Sequence, residues 1–231
     1  MTERLPPNYD AGALAKELRQ YSTSTVSDAL DRFRIKGGLE GILPVVEGTK
    51  LCGPAFTVRY APVDQIRKGR VLTYIDGVKA GHVIVVDNGG RTDCTTWGEL
   101  LTKKALKQGI AGTVIYGACR DVDIIRSLSY PVFSKGIFMM TGKDRVEVES
   151  TNEPVGVSGV RVSPGDIILG DSNGVICVPL GKATEVLKAA GEIAANEGGI
   201  ANAIESGISL TEARDKFGYE RLQRPKGNPD E

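Results

Sequence analysis

Three charged residues in this chain could do chemistry together: Glu99, Arg120 and Asp121. Twenty residues, Leu100 to Cys119, separate the glutamate from the adjacent Arg-Asp pair. Asp121 offers hard oxygens to a cation such as Mg²⁺, which keeps several waters and takes only one or two protein carboxylates. Arg120 can grip a carboxylate in a bidentate fork. Glu99 can act as a base through a water in the same site. The run Gly98-Glu99-Leu100-Leu101 opens an expected helix, whose first N–H groups have no partner within it and favour an anion. Together these parts suit a small anionic ligand and a hard metal ion. Each also has a plainer reading. Arg120-Asp121 can be a surface pair with Asp121 starting the next helix, Glu99 can merely complement the helix dipole, and Thr95 or Thr96 can cap the helix.

The elements that must position them run from Val83 to Asp121. VIVVDNGG reads as a strand buried on both faces followed by a turn, TTWGELLTKKALKQG as a helix stopped by Gly109, and TVIYGACRD as a second buried strand from Ile110 to Tyr116 with its loop. A crossover of that length makes the two strands parallel. The helix then begins on the rim where the second strand ends, and ligands bind at such rims. Glu99 is therefore expected to face Arg120 and Asp121.

Around this unit the chain reads as one α/β domain with a mixed sheet and helices at both ends, 1–231, with flexible tails at 1–10 and 218–231. Helices are expected at Ala11 to Tyr21, at Thr25 to Phe33 with Asp28 and Asp31 on its outer face, and at Lys182 to Ile204, where Gly191, Gly198 and Gly199 are weak points. A shorter helix is expected over Ser209 to Phe217, a short one over Val122 to Leu128, and another within Gly69 to Val78. Ala55 to Tyr60 alternates as a half-buried strand, and Lys36 to Thr49 reads as loop. From Arg145 to Pro179 short segments split by Gly, Pro, Asp and Asn predict antiparallel strands. Their hairpin-like turns fall at Ser163–Asp166 and Asp171–Gly174.

Composition narrows the function classes. Lys+Arg and Asp+Glu are 29 each in 231 residues, so a general nucleic-acid or membrane-surface role gains no support. No apolar run approaches the roughly 20 residues that span a bilayer, and MTERLPPNYD lacks a signal-peptide core, so a cytoplasmic location is expected. Cys52, Cys94, Cys119 and Cys177 form no CxxC pair, which predicts free thiols. Lys103, Lys104 and Lys79 give no sign of a Schiff-base lysine. Cys119 reads as a small filler behind Arg120, His82 as a core or edge histidine, Trp97 as packing beneath the helix start, and Asp171 as a turn former.

The set Gly98-Glu99-Leu100-Leu101 with Arg120-Asp121, framed by VVDNGG, WGELL, GTVIYGACRDVD, PVFSKG and PGDIILGDSNGVICVP, resembles the class II pyruvate aldolases of the 4-hydroxy-4-methyl-2-oxoglutarate (4-carboxy-4-hydroxy-2-oxoadipate) type and the wider RraA-like family. The resemblance covers about Ser24 to Pro179 and extends to the C-terminal helix. It implies an RraA-like swivelling β/β/α fold and Asp121 as the direct ligand of Mg²⁺ or Mn²⁺. It implies Arg120 on the keto-acid end and the developing enolate, amides of Gly98 to Leu101 on the pyruvyl carboxylate, and Glu99 ordering water and helping to remove the C4 hydroxyl proton. It further implies a homotrimer or hexamer with the site at the subunit interface, where Glu197 is the best match for a neighbouring subunit's glutamate. The substrate class is a small 2-oxo acid, with oxaloacetate decarboxylation as a side activity. Two rivals exist. Some RraA-like relatives bind and inhibit a ribonuclease, but lack the full acid and Arg-Asp set. A methyltransferase label lacks its GxGxxG fingerprint here.

Overall fold

The computed structural model describes residues 10–64 and 74–219. The elements in chain order begin with α1 (Ala11–Leu18), α2 (Thr23–Asp31), β1 (Leu43–Pro44), β2 (Leu51–Pro62), β3 (Val83–Asp87), β4 (Thr95–Trp97), α3 (Glu99–Gln108), β5 (Gly112–Cys119), α4 (Val122–Ser127) and β6 (Val132–Ile137). They continue with β7 (Val146–Thr151), β8 (Val155–Val157), β9 (Val160–Val162), β10 (Ile167–Asp171), β11 (Gly174–Val178), α5 (Ala183–Glu205) and α6 (Leu210–Phe217).

Among the described residues one nine-stranded mixed sheet runs β1-β6-β5-β3-β2-β10-β11, with β4 on β5 and β7 on β2. The expected crossover is present: β3 and β5 are adjacent and parallel, Val83 opposite Gly112 and Asp87 opposite Tyr116. β2 and β6 extend the parallel set on either side. β10 and β11 form the expected antiparallel hairpin, with Asp171 opposite Gly174. The Ser163–Asp166 turn is not a hairpin. It carries the chain from β9, paired with β8, to β10, paired with β2. Asp166 closes that turn and ties it to the segment after β11, its carboxylate accepting from the amides of Ser163 and Leu180.

Burial follows the alternation of each strand. Val83 and Val85 of β3 pack with Val114 and the valines of β8 and β9. Ile84 and Val86 face the other way, onto Ala105 of α3 and Ile125 of α4. A third cluster seats α1, α2 and α5 on β10 and β11. α3 ends as the sequence predicts, at Gly109 with φ 71°. The glycines of α5 do not break it. Gly191 leaves room for the Tyr21 hydroxyl, and Gly199 for the ring of Phe217 on α6, so close packing offsets their low propensity. The expected helix within Gly69 to Val78 is one 3₁₀ turn at Tyr74–Gly77, and 69–73 lie outside the described residues, as do 1–9 and 220–231 of the expected tails. The expected loop Lys36 to Thr49 holds β1, paired with β6. Among the described residues no helix is long and apolar enough to cross a membrane.

Asp171 does more than turn the chain. It is 6% exposed. Its carboxylate accepts from the Thr23 amide at 2.8 Å, the Thr23 hydroxyl at 2.7 Å and the Asn173 amide at 2.9 Å. Burial alone would raise its pKa, but these donors outweigh burial and hold the carboxyl below the usual range. A depressed carboxyl stabilises the fold above its unfolded pKa, about 3.9, and that contribution fades as pH falls through the folded value. Asp171→Ala should therefore cost about 2–3 kcal/mol at pH 7, since buried donors lose a charged acceptor. Urea unfolding of wild type and variant should show the gap shrinking below about pH 4. A gap that is constant with pH would refute the linkage.

Candidate functional site

The first turn of α3 and the end of β5 meet as the parallel crossover requires. β4 runs along β5, pairing Thr95 with Ala118 and Trp97 with Cys119, and so delivers Gly98 to the mouth of the Arg120-Asp121 loop. The Arg120 amide donates to the Trp97 carbonyl at 3.0 Å, locking the two segments. Beneath them Trp97 is buried, stacks on Tyr130 with centroids 6.2 Å apart, and donates its indole N–H to Thr102 Oγ1 at 2.9 Å. That is the packing role expected of it.

The helix cap differs from the sequence expectation. Thr95 and Thr96 lie in β4 rather than at the cap, because the strand continues to Trp97. Gly98 is the N-cap, outside the first turn, and has no side chain to cap with. The acceptor comes from across the loop: Asp121 Oδ2 receives the Glu99 amide at 3.0 Å. Asp121 sits at the start of α4 but makes no side-chain cap there. Its backbone is left-handed, φ 58°, which turns the carboxylate toward α3. Of the amides expected to meet an anion, Glu99 is thus occupied by Asp121. Leu100 and Leu101 follow it in the unpaired first turn. A methyl group on Gly98 would lie 2.5 Å from Asp121 Oδ2 and 3.3 Å from Arg120 Cγ, so only glycine fits this crossing.

Around these groups is a cavity of about 700 Å³, lined by Gly98, Glu99, Leu100, Leu101, Arg120 and Asp121 together. Arg120 Nε lies 3.6 Å from Asp121 Oδ2, both side chains about two-fifths exposed or less. Glu99 pairs with Lys103 one turn along the helix, the favourable order for an i,i+4 pair. Leu100 is 81% exposed. The donor set fits a hard divalent cation that keeps much of its water: Asp121 engages only one of its two oxygens with the Glu99 amide, and Glu99 is beside it. Among the described residues there is no cluster of three or more His, Cys, Asp or Glu side chains that could enclose a metal by themselves.

Glu197 does not line this cavity. It lies on α5 opposite α2, where burial, and then the Asp28 carboxylate, push its carboxyl above the usual range. Asp28 accordingly faces α5 and is half-buried, rather than lying on an outer face as expected. Cys119 is buried, with its Sγ 3.5 Å from Ser134 Oγ, and burial raises its thiol pKa, which suits the expected filler and not a nucleophile. All four cysteines are free. His82 is half-buried, and its Nδ1 has no hydrogen-bond partner among the described residues.

Sequence reasoning does not find the cavity's second wall. Tyr60, Val63, Thr95, Thr96, the loop Thr141–Asp144 and the β7 residues Val146 and Glu147 line it. β6 runs parallel to β5 and ends on the same rim, and a bridge between Thr95 and Thr141 holds the next loop there. No local motif marks residues that arrive by strand order. A general signal exists: the loop after a parallel strand lies at the ligand rim.

Comparison with known proteins places this geometry. The chain is 44% identical over 212 residues to Protein DlpA of Legionella pneumophila, covering 90% of this chain and 34% of DlpA, so it spans about a third of that relative's length. It is 33% identical over 199 residues to a Halalkalibacterium halodurans protein named "Putative 4-hydroxy-4-methyl-2-oxoglutarate aldolase", covering 85% of this chain and 91% of that one. The crystal structure of Streptomyces coelicolor RraAS2, described as an unusual member of the RNase ES inhibitor RraA protein family, superposes with a TM-score of 0.72 at 26% identity, covering 82% of this chain and 93% of that one. Residues 23–177, which carry the sheet, the crossover and the Glu99, Arg120 and Asp121 rim, match the family described as "RraA-like: Aldolase/RraA", and this chain belongs to that RraA-like family.

Proposed function

We propose that the chain is a divalent-metal-dependent lyase of the cytoplasm that cleaves a 4-hydroxy-2-oxo acid to pyruvate and a second carbonyl compound. The observation that carries this reading is the junction of Asp121 with the α3 start, 3.0 Å from the Glu99 amide, inside one cavity with Arg120. The aldolase name of the H. halodurans relative supports it.

A bound Mg²⁺ or Mn²⁺, held by Asp121 and by waters, would supply Lewis-acid stabilisation of the charge that develops on the 2-oxo oxygen. The chain's own groups do the rest. The Leu100 and Leu101 amides and Arg120 hold the 2-oxo acid's carboxylate and keto end. Glu99 receives the C4 hydroxyl proton, directly or through a water. The O–H electron pair becomes the new C4=O bond as C3–C4 breaks; the C3–C4 pair forms the C2=C3 bond of the pyruvate enolate, and the C2=O π pair moves onto the 2-oxo oxygen. Arg120 stabilises the enolate oxygen. A proton delivered to C3 then releases pyruvate. Loss of CO₂ from oxaloacetate leaves the same enolate, so that decarboxylation is part of the proposal.

The assembly proposed is a homotrimer or hexamer with the site at a subunit interface, completed by Glu197 of the partner subunit. The support is an apolar rim beside the cavity: Leu100, Ile137, Met139 and Met140 are 81%, 56%, 75% and 41% exposed. Such clustering is unusual on a surface that stays in water.

The test measures pyruvate from 4-hydroxy-4-methyl-2-oxoglutarate and from oxaloacetate, with Mg²⁺ and then with chelator. Release that stops in chelator and returns with Mg²⁺ or Mn²⁺ is expected. Release undiminished by chelator would remove the metal. No release from either substrate, nor from a 4-hydroxy-2-oxo acid without a second carboxylate, would favour the ribonuclease-regulator reading that the RraAS2 likeness suggests, to be checked by binding to a ribonuclease.

A further inference from the structure

The second wall of the cavity carries charge of its own. Its charged residues include Glu147 on β7 and Lys143 and Asp144 on the loop before it. Glu147 is half-buried, and its Oε1 accepts the Asp64 amide at 3.1 Å, which anchors the carboxylate at the cavity edge. Asp144 is exposed with φ 63°, a left-handed turn that lifts it at the loop tip. Lys143 is exposed as well. The next cation, Arg145, is not among the lining residues: its guanidinium donates to the Thr141 and Lys143 carbonyls of its own loop. Among the described residues the charge of this wall is therefore negative overall, and the lining lysine of the loop is followed directly by Asp144.

Arg120, the only lining arginine among the described residues, stands beside Asp121 on the first wall. A substrate with a carboxylate at each end would set its second carboxylate against Glu147 and Asp144, where like charges repel. Hydroxyl groups meet no such penalty. They can donate to Glu147 and Asp144 and accept from Lys143 and the Thr141 hydroxyl.

We propose that Glu147 is a specificity-determining residue, and that the carbonyl compound released with pyruvate is an uncharged hydroxyaldehyde rather than an oxo acid. This rests on the pyruvate-lyase reading above and narrows its substrate class to 4-hydroxy-2-oxo acids whose far end bears hydroxyls.

The experiment compares two substrates that differ only at C5. One is 4,5-dihydroxy-2-oxopentanoate, with a hydroxymethyl group; the other is 4-hydroxy-2-oxoglutarate, with a carboxylate. Pyruvate release by the full chain is measured with Mg²⁺ for wild type, Glu147→Gln and Lys143→Met. Gln keeps the acceptor for the Asp64 amide and removes only the charge. Wild type should favour the hydroxymethyl substrate in kcat/KM by about tenfold or more, and Glu147→Gln should shift the ratio toward the carboxylate by about tenfold, the scale of one like-charge contact. A wild type that prefers the carboxylate, with that preference lost in Lys143→Met, would overturn the proposal while leaving the lyase reading intact. An unchanged ratio in Glu147→Gln, with its thermal unfolding unaltered, would overturn it too. No pyruvate from either substrate would overturn the lyase reading itself, and this proposal with it.

Discussion

Asp121→Ala should abolish pyruvate release to within about a thousandth of wild type. That loss corresponds to about 4 kcal/mol of transition-state stabilisation by the cation and its ligand, at about 1.36 kcal/mol per decade. The same change removes the acceptor of the Glu99 amide, so α3 loses its N-terminal partner. A lost cap costs about 1 kcal/mol, which should appear as a modest fall in thermal midpoint. Asp121→Asn separates the two roles. Its carboxamide oxygen still accepts the Glu99 amide, but its charge is gone. The expected result is near wild-type stability with activity as low as in Asp121→Ala. An Asn variant that retains a tenth or more of wild-type activity would show that Asp121 serves the fold and not the cation. Calorimetric titration of Mn²⁺ reads binding without turnover, and should show loss of affinity in both variants.

Gly98→Ala is expected to have the second largest effect, and for a reason of space. The Gly98 backbone is extended, a conformation any residue adopts, so there is no dihedral strain to relieve. The added methyl would instead overlap the Asp121 carboxylate at 2.5 Å and crowd Arg120 Cγ at 3.3 Å. Both belong to the candidate site, so any relaxation displaces a reactive group. A shift of about 1 Å in such a group can cost on the order of 100-fold in rate. Overpacking should cost a further 1–3 kcal/mol or so of stability. Gly38→Ala, where an added methyl meets nothing within 4 Å, is the control and should leave both readouts unchanged. If Gly98→Ala turns over at the wild-type rate, Asp121 is not held where the reaction needs it.

Much of the architecture is legible in the sequence because it rests on short-range pattern. Val83 to Val86 is apolar at every position, and a strand like that must be covered on both faces. It is, by β8 and β9 on one side and by α3 and α4 on the other. Gly109 stops α3 through its positive φ, and Ser209 caps α6 in a reciprocal box with Glu212. Such signals act within a few residues, where chemistry and sequence distance coincide.

The points where structure and sequence expectation part share the opposite character. Local pattern predicts a nearby cap for the helix starts at Thr23 and Glu99. Ser22 does cap α2, but the strongest acceptor at Thr23 is Asp171, 148 residues away. At Glu99 the acceptor is Asp121, 22 residues away. Asp171 reads as a turn former, and the plainer reading of Asp121, beside its reading as a cation ligand, is the start of its own helix. A carboxylate in a turn looks the same in sequence whether it faces its own backbone or another element. The turn at Ser163–Asp166 differs from its hairpin expectation for a related reason, since pairing partners are chosen by the sheet and not by the turn.

For the site itself, sequence alone determined the ingredients and their coarse meeting point. A parallel crossover obliges the α3 start and the β5 end to share a rim, so Glu99, Arg120 and Asp121 had to lie near one another. Only the tertiary structure decided what each group does there at rest. Asp121 lends one oxygen to the Glu99 amide, Gly98 clears the space for it, and Glu99 pairs with Lys103. Only the tertiary structure brought the second wall, with Glu147, within reach of the first. Periodicity dictates which face of an element is buried, because that depends on neighbours along the chain. The distance between side chains on different elements depends on register, twist and loop path, which are set by the packing of the whole sheet.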